Sequence, residues 1–272
     1  MKGMTVMSDG IVIKNLTSGY EDNLIIEELN VAIPKGKITV VIGANGSGKS
    51  TLLKTIARVL KPKKGEILLD GFNVHQYSSK NIAKLMAVLP QGPKAPSGLT
   101  VEELVAYGRF PHKKGFGALD VSDREVVEEA LDICGMKELR DRTLANLSGG
   151  QHQRAWIAMT LCQKTDFILL DEPTTYLDLA HQLEILTLLA KLNQKEARTI
   201  VMVLHELNMA SRFADYIIGM KEGKIVAKGP PVNVITSENL RQIYQIEAEI
   251  MIDEKTQKPF YLTYENISLR NS

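Results

Sequence analysis

Gly43-Ala44-Asn45-Gly46-Ser47-Gly48-Lys49-Ser50 is the stretch on which the reading of this chain turns. Before it, Ile38–Ile42 is an unbroken apolar and β-branched run, the mark of a parallel strand buried on both faces. After it, the pattern predicts a helix from Lys49 to about Val59, closed by Lys61-Pro-Lys-Lys-Gly65. A Gly-x-x-x-x-Gly-Lys-Ser turn between strand and helix is the context that a phosphate-cradling loop requires. Its glycines let backbone N–H groups converge on a phosphate, and the helix N-terminus adds the positive end of its dipole. Lys49 supplies a point charge, Ser50 offers a hydroxyl to a divalent cation, and Thr51 continues the first turn.

A second stretch lies about a hundred residues on, at Leu147-Ser148-Gly149-Gly150-Gln151. It is expected to open a helix at Gly150 running to Cys162, so Ser148 and the glycine amides form an anion site without a lysine. Two phosphate-binding helix starts in one chain can serve one nucleotide only if two copies meet head to tail. Next comes Phe167–Leu170, wholly apolar, then Asp171-Glu172. A carboxylate ending a buried parallel strand faces the ligand crevice, where Asp171 can hold Mg²⁺ and Glu172 can polarise an attacking water.

The rest of the pattern frames these motifs. Strands are expected at Ile11–Leu16, Glu27–Ile33, Glu66–Leu69 and Thr199–Leu204, with a hairpin of Tyr216–Lys221 and Lys224–Lys228 around Glu222-Gly223. Between Gln91 and Leu147 the pattern turns helical, with capping boxes expected at Thr100/Glu103 and Ser122/Glu125. His181–Leu192 reads as a further helix, and Glu249–Asp253 with Phe260–Tyr264 as a terminal hairpin.

The motif set resembles the ATP-binding cassette (ABC) ATPases over about Ile11 to Ile246. The resemblance implies an α/β fold: a P-loop NTPase core with an N-terminal antiparallel β-subdomain and an inserted α-helical subdomain. The expected organisation is one ABC ATPase domain over 11–247, with the helical subdomain at about 92–147, and a short tail at 248–272. It further implies ATP and Mg²⁺ as ligands, with Ser50, Gln91 and Asp171 toward the metal. Tyr20 is the implied adenine-stacking aromatic, Glu172 the catalytic carboxylate, and His205 the histidine that contacts the γ-phosphate. Ser148, Gly149, Gly150 and Gln151 are implied to reach ATP bound to a partner copy, and Asp178 to line the loop crossing that interface. Two departures from the family pattern stand out. Thr175-Tyr-Leu-Asp178 replaces the common Ser-Ala-Leu-Asp, and Glu206 stands where close relatives often have Asp; neither substitution is expected to abolish function.

Thr100–His112, above all Arg109-Phe110-Pro111-His112, with Gln153–Met159, resembles one branch of the family. That branch comprises the ATPase subunits of importers for ferric siderophores, haem and vitamin B12, and the chain is most similar to the hydroxamate- or citrate-type siderophore subunits. The implied partners are a second copy of the chain, integral-membrane permease subunits and, indirectly, an extracytoplasmic substrate-binding protein. The implied location is the cytoplasmic face of the membrane. Haem or B12 cargo remains an alternative, as does a non-transport ABC ATPase in a cytosolic assembly. The short span between the two phosphate motifs leaves no room for the long coiled coils of DNA-repair relatives.

Composition agrees with this reading. Lys+Arg 33 against Asp+Glu 32 leaves a net charge of +1, with no electrostatic footprint for nucleic acid. Met1–Asp9 has no apolar core of a signal peptide. No apolar run approaches the ~20 residues of a membrane helix. Cys134 and Cys162 lie in apolar helical contexts and are expected as buried thiols rather than a disulfide.

Overall fold

The computed structural model describes residues 10–21, 23–113 and 118–266; the Met1–Asp9 stretch and the end of the terminal tail lie outside them. In chain order the elements are β1 (Ile11–Tyr20), β2 (Asn23–Ile33), β3 (Ile38–Gly43), α1 (Lys49–Ile56), β4 (Lys64–Leu69) and β5 (Phe72–Asn73). Then come α2 (Ser79–Ile82), β6 (Met86–Leu89), α3 (Val101–Ala106), α4 (Val121–Ile133), α5 (Gly149–Cys162), β7 (Phe167–Asp171) and α6 (Leu179–Glu196). The chain closes with β8 (Thr199–Val203), α7 (Leu207–Phe213), β9 (Tyr216–Lys221), β10 (Lys224–Gly229), α8 (Pro231–Val234), α9 (Ser237–Tyr244), β11 (Ile246–Ile252) and β12 (Pro259–Asn266). These elements form two compact units, one built from the chain up to Gln76 and from Thr199 onward, the other from Tyr77–Arg198.

The first unit carries an antiparallel sheet in the order β2-β1-β4-β5. Beside it, β3 pairs in parallel with β8 on one edge and β9 on the other. All six residues of β3 and all five of β8 are buried, as their unbroken apolar runs require when both faces of a sheet are covered. The β9–β10 hairpin turns at Glu222-Gly223, both with positive φ (48° and 75°), the geometry of the tight turn expected there. β11 and β12 form the separate terminal hairpin; β11 starts three residues earlier than expected and stops one short of Asp253, while β12 is longer at both ends.

In the second unit β6 and β7 pair in parallel, Leu89 opposite Leu170. Across 92–147 the described residues form helices, 3₁₀ turns and loops, with one bridge between Thr100 and Thr143. The α3 capping box forms as expected: Thr100 Oγ1 accepts from the Glu103 amide at 3.2 Å, and Glu103 Oε2 accepts from the Thr100 amide at 2.8 Å. The second expected box does not. α4 begins at Val121, and its cap is Asp120, whose Oδ1 accepts from both the Asp123 amide and the Ser122 hydroxyl at 2.8 Å. A carboxylate caps a helix at least as well as a hydroxyl, so Asp120 wins and Ser122 becomes its second donor.

The Arg109–His112 segment is a 3₁₀ turn whose polar groups point inward. Arg109 Nε donates to Asp123 Oδ1 of α4 at 2.8 Å and its Nη1 to the Cys162 carbonyl of α5 at 2.9 Å, with both charged side chains 9% exposed. The His112 ring lies 2.9 Å from the Gln163 carbonyl, while Phe110 is exposed and stacks loosely on Tyr107. The piece of sequence most telling of the branch is therefore, in large part, a packing joint of the helical region.

Candidate functional site

The motif residues divide between the units, with Tyr20, residues 43–51 and His205 in the first and Gln91, 148–151, Asp171, Glu172 and Asp178 in the second. In the first unit, β3 delivers the chain to Gly43, and the loop ends at Gly48, the N-cap of α1, at φ 97°. The N-cap, Gly48, supplies no side-chain cap and the first turn of α1 has no acidic residue, so no carboxylate of the helix itself meets the positive end of its dipole. Lys49 is only 6% exposed, and its Nζ donates to the Gly43 and Ala44 carbonyls at 2.9 and 3.0 Å. The lysine thus braces its own loop, aimed where a phosphate would compete for the same ammonium. The Ser47 carbonyl accepts from the Gly223 amide at 3.0 Å, so the β9–β10 turn supports the loop from outside.

Tyr20 ends β1 as an exposed residue (43%), with Lys54 of α1 held 6.0 Å from the ring centroid. That leaves an accessible aromatic face beside α1, as stacking on a base needs. His205 follows β8, exposed, two residues beyond Val203, which pairs with Val41. The phosphate loop and His205 therefore leave the same end of two adjacent parallel strands, where open α/β sheets place ligands. Two tyrosines beyond the expected set also converge here. Tyr244 of α9 lies against the Gly43 backbone, and burial pushes its phenol upward while the Gly43 amide partly opposes this. Tyr261 of β12 donates its hydroxyl to Glu206 Oε1 at 3.0 Å. Burial first, then the Glu206 charge, raises that phenol to about 12.

In the second unit, β6 and β7 end side by side, so the residues just past them meet. Gln91 Nε2 donates to Glu172 Oε2 at 2.6 Å, and Thr175 Oγ1 donates to the same oxygen at 3.0 Å. Glu172 adopts the left-handed backbone region (φ 54°), which a non-glycine residue takes only when its surroundings impose it. Asp171 closes β7 and is 3% exposed. Asp178 caps α6, accepting from the His181 amide at 2.9 Å and contacting its ring nitrogen at 2.8 Å; these bonds hold its carboxyl below the usual range.

The Leu147–Gln151 stretch starts α5 one residue earlier than expected, at Gly149. Ser148 is the cap, accepting from the Gln151 amide at 3.3 Å, while Gln151 Oε1 accepts from the Ser148 amide at 3.1 Å. Ser148 and Gly149 are exposed. Gly150 is buried, and a Cβ there would lie 2.4 Å from His181 Cδ2, so any larger residue would require the His181 ring to leave the α6 cap. The structure thus brings the signature stretch and the Asp178 loop together through His181, a residue the sequence patterns did not single out.

These features are those of a P-loop ATPase that carries a second glycine-rich helix start. The chain belongs to the ABC transporter family, whose model matches residues 26–175. It is 55% identical over 254 residues to the iron(3+)-hydroxamate import ATP-binding protein FhuC of Bacillus subtilis (strain 168), covering 93% of this chain and 94% of that protein. A chain of an inward-facing ABC transporter, described as of the metal-chelate type, superposes with a TM-score of 0.82 at 29% identity, covering 97% of this chain and all of the other. The cassette MJ0796, solved as a post-hydrolysis dimer with ADP and Pi, superposes at 0.71 with 30% identity, over 81% of this chain and 98% of that one. No helix among the described residues is long and apolar enough to cross a membrane.

Proposed function

We propose that this chain is the ATP-hydrolysing subunit of an importer for iron(III)–siderophore complexes. It works as a homodimer on the cytoplasmic face of the membrane, joined to permease subunits served by a substrate-binding protein. The observation that carries the cargo class is the 55% identity, across nearly the full length of both chains, to a hydroxamate-siderophore import ATPase.

The Lys49 ammonium leaves its two loop carbonyls and donates to the β- and γ-phosphates instead, and the α1 amides donate to the remaining phosphate oxygens. Tyr20 stacks on the adenine. Mg²⁺ would be held by Ser50, Gln91 and Asp171. An all-oxygen set of hydroxyl, amide and one carboxylate suits this ion, which usually relies on few protein ligands plus phosphate oxygens. The chemistry the ion would supply there is neutralisation of charge on the phosphates. Glu172 orients the attacking water; two donors on its Oε2 fix the plane of the carboxylate and hence the aim of Oε1. His205 holds the γ-phosphate. Ser148, Gly149, Gly150 and Gln151 complete the phosphate shell of ATP bound by the partner copy, and Asp178 lines the crossing loop. ATP thereby acts as a ligand of the closed dimer, and hydrolysis lets it open.

The test is uptake of radio-iron in a deletion strain, offered on hydroxamate and citrate siderophores and as haem, beside labelled vitamin B12. Wild type restores siderophore uptake. Glu172→Gln binds ATP and restores none, and Ser148→Arg binds ATP as a monomer and restores none. Restored haem or B12 uptake alone overturns the cargo, and normal turnover by Glu172→Gln overturns its role as base.

A further inference from the structure

The terminal hairpin carries no motif, yet its contacts converge on the short helix that follows His205. α7 has seven residues, too few to hold a helix by itself in water. Its C-terminal carbonyls, those of Arg212 and Ala214, accept from Lys258 Nζ at 2.9 and 2.6 Å, and the Ser211 hydroxyl donates to the Pro259 carbonyl. At its first turn, Asn208 grips the backbone of Tyr261 from both sides. Its Oδ1 accepts from the Tyr261 amide at 3.0 Å, and its Nδ2 donates to the Tyr261 carbonyl at 3.2 Å. The Tyr261 hydroxyl then reaches Glu206 Oε1, the same oxygen that caps α7 by accepting from the Asn208 amide at 3.3 Å.

His205 lies between two anchored points. Upstream, Val203 is fixed by pairing with Val41 in the strand that feeds the phosphate loop. Downstream, Glu206 is fixed by the α7 cap and by Tyr261. The glutamate matters here, since an aspartate side chain is one methylene shorter and would pull its carboxylate away from the phenol. We infer that the hairpin β11–β12 is a positioning element of the ATPase site, in which Tyr261, acting through Glu206, sets the placement of His205. This rests on the assignment of His205 to the γ-phosphate.

The experiment is single-turnover hydrolysis by the full chain, with nucleotide binding and thermal melts alongside. Tyr261→Phe deletes only the hydroxyl and keeps the ring packed on Tyr264, 5.3 Å away. The expected result is a rate lowered about tenfold, the size of effect that a misplaced transition-state contact produces, with ATP affinity unchanged. The melting midpoint moves by less than about 2 °C. Glu206→Asp slows turnover comparably and provides the same reading by a second route. In a His205→Ala background, Tyr261→Phe has no further effect, because the group it positions is gone. Wild-type turnover by both Tyr261→Phe and Glu206→Asp while His205→Ala is slow overturns this inference alone. Full multiplicative loss in the double variant also overturns it, since the hydroxyl then acts elsewhere. Wild-type turnover by His205→Ala overturns the histidine assignment and this inference with it.

Discussion

Replacing Arg109 by methionine keeps most of the stem volume and removes only the guanidinium, which makes it a sharp probe of the helical region. Two groups lose their donor: the Asp123 carboxylate, at 2.8 Å from Nε, and the Cys162 carbonyl near the end of α5, at 2.9 Å from Nη1. Both charged side chains are 9% exposed, so water cannot take over. Breaking a buried pair by removing one partner costs about 3–5 kcal/mol, against at most ~1 kcal/mol for a pair on the surface. For a chain of this size, about 4 kcal/mol corresponds to a fall in melting midpoint on the order of 10 °C. The measurement is a calorimetric melt at neutral pH, with the Arg109→Met/Asp123→Leu double variant beside it. The double variant removes both charges and should regain most of the loss, because the cost lies in the orphaned carboxylate rather than in the missing attraction. A single variant melting within about 1 °C of wild type, or a double variant less stable than the single, would refute the reasoning.

Gly108→Ala should destabilise the same joint by about 1–3 kcal/mol, read as a lower melting midpoint, because the new Cβ would stand 2.3 Å from the Met159 carbonyl and 2.9 Å from Cys162 Cβ. Both cysteines should resist a thiol-specific reagent at pH 8 and react once the chain is unfolded; burial pushes each thiol up to about 12, more than offsetting the nearby arginines. The sign for stability follows from that shift. The contribution of the neutral buried thiols is fully present below the ordinary thiol value and is lost as pH rises toward about 12, so alkaline melts should fall faster than those of a Cys134→Ala/Cys162→Ala variant.

The expectation for Glu206 shows the limit of motif reading. By sequence it was a minor departure beside His205; in the fold its longer side chain caps α7 and receives a phenol 55 residues further along the chain. His181 and Thr175 had no signal either, since a histidine three residues past Asp178 and a threonine three past Glu172 match no pattern until their neighbours are known. Arg109 was singled out, but as a family marker rather than as half of a buried ion pair.

What the sequence by itself determined was everything that local backbone chemistry dictates. Phosphate binding needs glycines, a lysine and a helix start within eight residues, and parallel strands covered on both faces need unbroken apolar runs, so both are written in contiguous stretches. The Thr100 capping box belongs to the same class, because its partner lies one helical turn away. Only the tertiary structure decided which distant groups meet: Gln91 hydrogen-bonded to Glu172 across 81 positions, Gly150 packed against His181, Tyr261 hydrogen-bonded to Glu206. Those pairings depend on where strands and helices end and which ends lie side by side, and no local preference of a residue encodes that.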